Sequence, residues 1–567
     1  MGCTYRPVGL ALGALLLASC AGRNVEESAA PPQQEPAAEA EASDMVVTGT
    51  RLKVGNLQAQ SEFKLGRVAA PPPPPAPMMA PGYVTPPYKD VGRDKFTNFA
   101  ENAFKIVREA PVSTFSIDVD TASYSWVRAS LNQNVMPQPA SVRTEEMVNY
   151  FTYDYAPPKS TAEPFNTNIA VFPSPWSQGR KLVRIGIKGY IVQRSTRPHA
   201  NLVFLIDTSG SMQDPNKLPL VQKSLAMLLD ELDERDTVSI VTYAGNAGVA
   251  LQPTPAGQKA KIRAVIDELG AGGSTAGAEG IRQAYELAKA NYDPKGVNRV
   301  ILATDGDFNV GITDQGELKG YIERERGNGV FLSVLGFGMG NYNDALMQTL
   351  AQNGNGIAAY IDTVAEARKT LVEEAGSTLF PIAKDVKIQV EFNPAAVAEY
   401  RLIGYETRAL NRDDFDNDKV DAGDVGSGQT VTALYEVVPV GGPRTMDDLR
   451  YGATKPAVSG RSLELGFVKI RYKLPKSDTS KLITTPIDRR YEVSSFAAAP
   501  RDARFATAVA GFAELLRGGR YNGKFSYDDV LQIAGASRGP DEFGYRSEFM
   551  QLVRAAKSSR SMAQLEQ

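Results

Sequence analysis

The run NLVFLIDTSGSM at residues 201–212 decides the reading of this chain. An apolar stretch ends in a carboxylate, Asp207, and two hydroxyls follow one residue apart, Ser209 and Ser211. Continuous apolarity predicts a strand covered on both faces, as in a parallel sheet flanked by helices. Its polar end offers hard oxygen ligands at close quarters, which suits a small divalent cation such as Mg2+ that keeps positions open for water or a partner.

Working outward, two later segments supply the oxygens such a site still needs. In GAGGSTAG (270–277) Thr275 follows a glycine-rich turn, and in NRVILATDGDFN (298–309) another apolar strand ends at Asp305. Loops at the carboxyl ends of different strands meet where open α/β sheets place their ligands. TVSIVTYA (237–244) and VFLSVLGFG (330–338) read as further buried strands, and Val221, Leu225, Leu228 and Leu232 recur at the spacing of an amphipathic helix. The pattern predicts an α/β doubly wound, Rossmann-like domain over 199–380, closed by a helix from about Thr363 to Leu379.

DTSGS, the threonine of GGST and the aspartate of ATDGD together resemble the metal-ion-dependent adhesion site of von Willebrand factor type A domains. The resemblance implies that Ser209 and Ser211 coordinate a metal through their hydroxyls and that Thr275 does so directly or through water. Asp207 and Asp305 would sit behind them, holding waters and orienting the serines. A Mg2+ or Mn2+ ion with so few charged ligands stays electrophilic, and the Asp or Glu of a protein partner completes its shell. The implied function is binding, not catalysis.

The N-terminus reads differently. Arg6 precedes an apolar run from Val8 to Leu17, and Leu17-Ala18-Ser19-Cys20 resembles the lipobox of bacterial lipoproteins. A short positive region and a short apolar core make a signal peptide, residues 1–19, and not a spanning helix. The resemblance implies that Cys20 becomes the lipid-modified N-terminus, a membrane anchor of two or three acyl chains. Ala21 resembles the sorting signal for the outer membrane, so the expected location is the bacterial cell envelope. Cys3 leaves with the signal, so the exported body has no thiol for a disulfide, a nucleophile or a zinc cluster. Residues 20–95 are rich in Pro, Ala, Glu and Gln and read as a disordered tether, with PPPPPAP at 71–77 favouring extended polyproline II. Within it, Met45–Arg51 resembles a segment near the start of TonB-dependent receptors and has the β-prone character of a strand added to a partner's sheet.

Around the α/β domain the texture is period two. FNTNIAVF and the Val183, Ile185, Ile187 alternation precede it, and VKIQVEF, TVTALYEV and FVKIRYKL follow it. Both groups are expected to form one β-sandwich-like domain into which the α/β domain is inserted. Residues 96–198 then comprise an N-terminal region, helical and later β, 381–495 a β-rich region, and 496–567 helices. In the last of these, Phe505, Val509, Phe512 and Leu516 line one face, and Phe543, Phe549, Leu552 and Val553 mark a second helix beyond the Gly535–Pro540 break.

Catalytic readings fail on inventory. Asp118-Val119-Asp120-Thr121 matches the nucleophile motif of haloacid-dehalogenase-type phosphatases, which makes a Mg2+-dependent phosphatase using Asp118 the enzymatic alternative. The downstream lysine and acidic pair of that family are missing in the required order. The segment instead resembles the region ahead of the type A domain in bacterial lipoproteins of the YfbK-like family, with its carboxylates expected to cap a helix starting near Thr121 or Ser123. DKVDAGDVGSGQTVTALYEV resembles the C-terminal region of the same family. NRDDFDNDKVDAGDVGSG (411–428) lacks the glycine and closing glutamate of an EF-hand and reads as a solvated loop. The one histidine, His199, is expected in an exposed linker, and no GxSxG, HExxH or phosphate-binding loop accompanies it. The 62 basic and 65 acidic residues give a net charge of −3, and no basic patch points to nucleic acid. The reading is an anchored binding protein, with a scaffold carrying a purely structural metal as the bland alternative.

Overall fold

The computed structural model describes residues 94–117, 120–159, 162–273, 277–306, 315–447 and 464–565. The signal peptide with Cys20, the tether with Met45–Arg51, Asp118 and Thr275 lie outside the described residues.

The apolar runs form a six-stranded sheet in the order Ala358–Ile361, Val330–Phe337, Val297–Thr304, Ala200–Asp207, Thr237–Tyr243 and Ala247–Pro255. All its pairings are parallel except the last, a hairpin. Helices cover both faces, which is why the central strands carry no polar alternation. Leu218–Glu231 and Lys259–Glu268 pack through Val221, Leu225 and Ile262 on one side. Gly277–Ala290, Gln315–Gly327 and Asp344–Asn353 pack through Ile281, Ile322 and Met347 on the other.

The flanking segments make a sandwich of two antiparallel sheets, interrupted by the α/β domain as expected. Phe165–Pro173 and Lys181–Gly189, which precede that domain, pair into one sheet with Thr430–Pro439 and Val397–Ile403, which follow it. Pro381–Phe392, Glu464–Lys473 and Ser480–Asp488 build the other. The segment expected to be helical from the start first contributes a strand to each sheet, Lys105–Ile106 and Val112–Ser116. Val183, Ile185 and Ile187 point into the sandwich core. The opposite face of their strand is not solvated as alternation suggested. Leu182 joins a second core beneath the C-terminal helices, and buried Arg184 stacks its guanidinium 4.5 Å from the Tyr155 ring centre.

That second core joins Ala122–Asn132 and Thr144–Asn149 to Arg501–Leu516, Tyr527–Ser537 and Tyr545–Leu565 around Phe151, Phe505 and Phe549. Phe543 is 57% exposed and takes no part, because its helix starts two residues later. Ala122–Asn132 is shared: Tyr124, Val127 and Leu131 face the helical core while Ala122, Trp126 and Ala129 pack on the α/β domain. The capping expected near its start differs. Thr121 makes no side-chain cap, the Ser123 amide donates to Glu146 at 2.8 Å, and Asp120 accepts from the Ala358 amide and pairs with Arg408.

The closing helix of the α/β domain is broken into Val364–Arg368, a π turn at Lys369–Glu373 and Ala375–Leu379. The π turn carries Lys369 4.6 Å from the Tyr150 ring centre and Glu373 to the Tyr545 hydroxyl. Arg128 binds this helix from outside, donating to Asp362 and Glu366 and reaching Glu548 of the last helix. In the acidic loop, Lys387 donates to the Asp414 and Asn417 carbonyls and Arg471 pairs with Asp416 and Asp418, so the strands beneath hold it down.

Candidate metal centre

The Ala200–Asp207 strand ends by delivering Asp207 into a fully buried position. One oxygen accepts the Ser209 amide at 2.9 Å, and the other accepts the hydroxyls of Tyr243 at 3.2 Å and Thr304 at 3.3 Å. Burial pushes this carboxyl up in pKa, against the hydrogen bonds from Ser209 and Tyr243, and the charge of Asp305 adds to the rise. The bond to the Ser209 amide folds the chain back so that the Ser209 and Ser211 hydroxyls lie 3.1 Å apart, the first buried and the second exposed. Buried Met212 plugs the turn into the core behind.

Asp305 arrives from the neighbouring strand and is likewise buried. It accepts hydrogen bonds from Ser211 and Asn341 and a 2.9 Å contact from the Lys217 ammonium. Burial alone would raise its pKa, but the bond and charge of Lys217 outweigh it and hold the carboxyl below its ordinary value. Gly306 makes the next turn with φ +99°, and a Cβ there would meet the Tyr342 Cα at 2.7 Å, so only glycine lets the Asp305 turn lie against the 341–343 loop. The third loop is pinned by its backbone: the Gly272 amide donates to the Thr208 carbonyl at 2.7 Å and the Gly210 amide to the Gly273 carbonyl at 3.1 Å. This brings the chain to the rim of the serine pair two residues before Thr275, itself outside the described residues.

Four of the five expected positions therefore stand together, and the donor set suits a hard cation. Among the described residues no group of three His, Cys, Asp or Glu side chains is placed to hold a metal, so a cation here would have to draw on hydroxyl oxygens. Lys217, Tyr243, Thr304 and Asn341 belong to the site and were not anticipated. Tyr243 and Thr304 were hidden as ordinary strand residues. Lys217 is ten positions beyond Asp207, and its stem reaches Asp305 by crossing Gly338, where a Cβ would sit 2.4 Å from the Lys217 Cε. His199 is exposed, as expected, at the opposite end of the strand that ends in Asp207.

Comparisons with known proteins match three parts of the chain. Residues 201–374 match the von Willebrand factor type A domain family, 377–559 the C-terminal family of YfbK, and 90–184 the family described as von Willebrand factor. The chain is 43% identical over 480 residues to YfbK of Escherichia coli strain K12, covering 83% of each chain. It is 30% identical over 169 residues to inter-alpha-trypsin inhibitor heavy chain H4 of Homo sapiens, which is 28% of this chain and 18% of that one. Solved structures that resemble it include a von Willebrand factor type A protein from Catenulispora acidiphila, with 15% identity, coverage of 71% of this chain and 91% of that one, and a TM-score of 0.41. Another is proximal thread matrix protein 1 of the mussel byssus with a zinc-occupied MIDAS motif, at 23% identity, 32% and 46% coverage and a TM-score of 0.27.

Proposed function

We propose that this chain, which belongs to the YfbK-like family of von Willebrand factor type A proteins, is a metal-dependent binding protein that grips a protein partner through an acidic side chain. The observation that carries the reading is the serine pair at 3.1 Å, with Asp207 holding the Ser209 amide and Asp305 beside the Ser211 hydroxyl. Ser209, Ser211 and Thr275 would hold a Mg2+ or Mn2+ ion, with Asp207 and Asp305 orienting them. Bound there, the ion supplies a Lewis-acidic position open to a carboxylate from outside. The chain's own contribution is to preorganise: the buried Asp207 fixes the turn, Tyr243 and Thr304 fix Asp207, and Lys217 offsets one of the two carboxylate charges. Nothing in this arrangement activates a nucleophile, so the reading assigns no turnover.

Calorimetric titration with MnCl2 tests the metal, and crosslinking in intact cells with and without chelator tests the partner. Asp207→Ala is expected to abolish cation binding and partner capture together. Capture that persists in chelator would refute partner recognition through the metal. Melting that rises with Mg2+ while no crosslinked partner forms would favour a structural metal.

The N-terminal motif extends the proposal to place. Cys20 carries the lipid, the Pro-rich segment spaces the body from the membrane, and the compartment is the cell envelope, at the outer membrane. Labelling with a radioactive fatty acid should be lost in Cys20→Ser, and label that persists in that variant would remove the anchor.

A further inference from the structure

A cavity of about 290 Å3 lies at the base of the type A domain, between the amino ends of its strands and the sandwich, away from the serine pair. Its walls carry charges of both signs, and most are paired within the protein. Asp120 pairs with Arg408 at 2.7 Å, and Asp421 pairs with Arg326 at 2.5 Å. Lys319 is exposed and pairs loosely with Glu323 at 3.9 Å.

Two charges lack an ion pair among the described residues. Arg299 stands near the start of the central strand Val297–Thr304 and is 3% exposed. Its Nη1 donates to the Ser333 hydroxyl at 2.6 Å, its guanidinium stands 5.6 Å from the Phe331 ring centre, and its Nε has no hydrogen-bond partner. Arg128, Arg143 and Arg401, similarly buried, each contact at least two carboxylates, whereas Arg184, like Arg299, has no ion pair among the described residues and packs on an aromatic ring, that of Tyr155. Lining the same cavity, half-buried Asp424 accepts one long bond from the Asp385 amide at 3.3 Å. Arg299 and Asp424 feel one another's charge without sharing a hydrogen bond. A buried guanidinium is costly unless a carboxylate or similar anion meets its fork, so an unpaired one facing open volume marks the place of a missing anion.

We infer that this cavity binds a small zwitterion of amino-acid size, its carboxylate on Arg299 and its ammonium toward Asp424. Asp424, without an ion pair on the same cavity, disfavours a phosphate dianion or a dicarboxylate, and a simple monocarboxylate would leave it unserved. Burial pushes the Arg299 guanidinium down to about 10 and the Asp424 carboxyl up to about 7, so each charged form is short of compensation and one ligand with both charges relieves the two together. The volume is at the small end of the range for ligand pockets, which suits a free amino acid and excludes a folded partner.

The purified full chain, with EDTA present to silence the metal centre, is titrated calorimetrically with each of the twenty common L-amino acids, and with acetate and ethylammonium as single-charge probes. At least one amino acid should bind in the millimolar range or tighter, with both single-charge probes at least tenfold weaker. Arg299→Met should weaken that binding at least tenfold, Arg299→Lys by less, and Asp424→Asn by several-fold, while no variant without ligand melts well below the wild type. Should Arg299→Met fail to fold, Arg299→Lys and Asp424→Asn carry the test. The inference is overturned if no amino acid binds, if acetate binds as tightly as the best amino acid, or if binding is unchanged in the variants that fold.

Discussion

Lys217→Met should tighten divalent cation binding while weakening the metal-free protein. Lys217 and Asp305 form a pair with side chains 7% and 0% exposed, joined at 2.9 Å. Removing one partner of a buried pair strands the other charge, at a cost of about 3–5 kcal/mol. Asp305 keeps its bonds from Ser211 and Asn341, so the low end applies, ~3 kcal/mol. A cation that neutralises Asp305 recovers most of that energy in the variant and little of it in the wild type, where Lys217 already supplies a positive charge. At 1.4 kcal/mol per tenfold change, ~3 kcal/mol is an affinity increase of about a hundredfold. Calorimetric titration with MnCl2 measures it directly, and the melting temperature without metal should fall in parallel. Lys217→Arg, which keeps the charge, should stay near the wild type. Affinity in Lys217→Met that is unchanged or lower, with the protein still folded, would refute the idea that lysine and metal compete for the same carboxylate.

Three further outcomes follow from other parts of the molecule. Asp424 has a folded-state pKa of about 7, above its unfolded value; the folded protein therefore binds the extra proton between those values, and stability falls as pH rises through that window. Asp424→Asn should remove this slope, so its advantage in urea midpoint over the wild type grows from pH 5 to pH 8; a gap that stays constant or shrinks contradicts it. Trp126→Ala, which empties the contact with Phe96, Tyr342 and Tyr360 at 5.0–5.4 Å, should cost about 3–5 kcal/mol in urea unfolding. Arg128→Met leaves Asp362 and Glu366 without their counter-ion, and hydrogen exchange across 364–379 should accelerate by about two orders of magnitude or more, the equivalent of ~3 kcal/mol.

How far the sequence carried depended on the range of the interactions involved. The central strands were legible because covering both faces of a sheet demands unbroken apolar runs, as in Leu202–Ile206 and Val300–Ala303. The loops at their ends were legible because DTSGS and ATDGD pack several polar groups into a few residues. Alternation in 183–187 correctly marked a strand facing a sandwich core, yet period two says nothing about what lies on the other face, and Arg184 proved buried beneath Tyr155. Val112–Ser116 escaped notice because a five-residue strand between helical-looking segments is defined by its partners, Pro381–Phe392 and Ala409–Leu410, about 270–300 positions away. The π turn at Lys369–Glu373 likewise answers to Tyr150 and Tyr545 and not to local propensity.

By itself the sequence determined the α/β class, the sandwich around it, and the carboxylates and hydroxyls assembled at one end of the sheet, because periodicity and short motifs record contacts with near neighbours and with a generic apolar interior. Only the tertiary structure decided that Lys217 answers Asp305, that Arg128 ties the closing helix to both helical flanks, and that Arg299 and Asp424 line one cavity. Those pairings set the electrostatics of the molecule. They depend on which side chains a fold brings within a few ångströms after hundreds of residues of intervening chain, and Coulomb energy follows distance in space, not separation along the sequence.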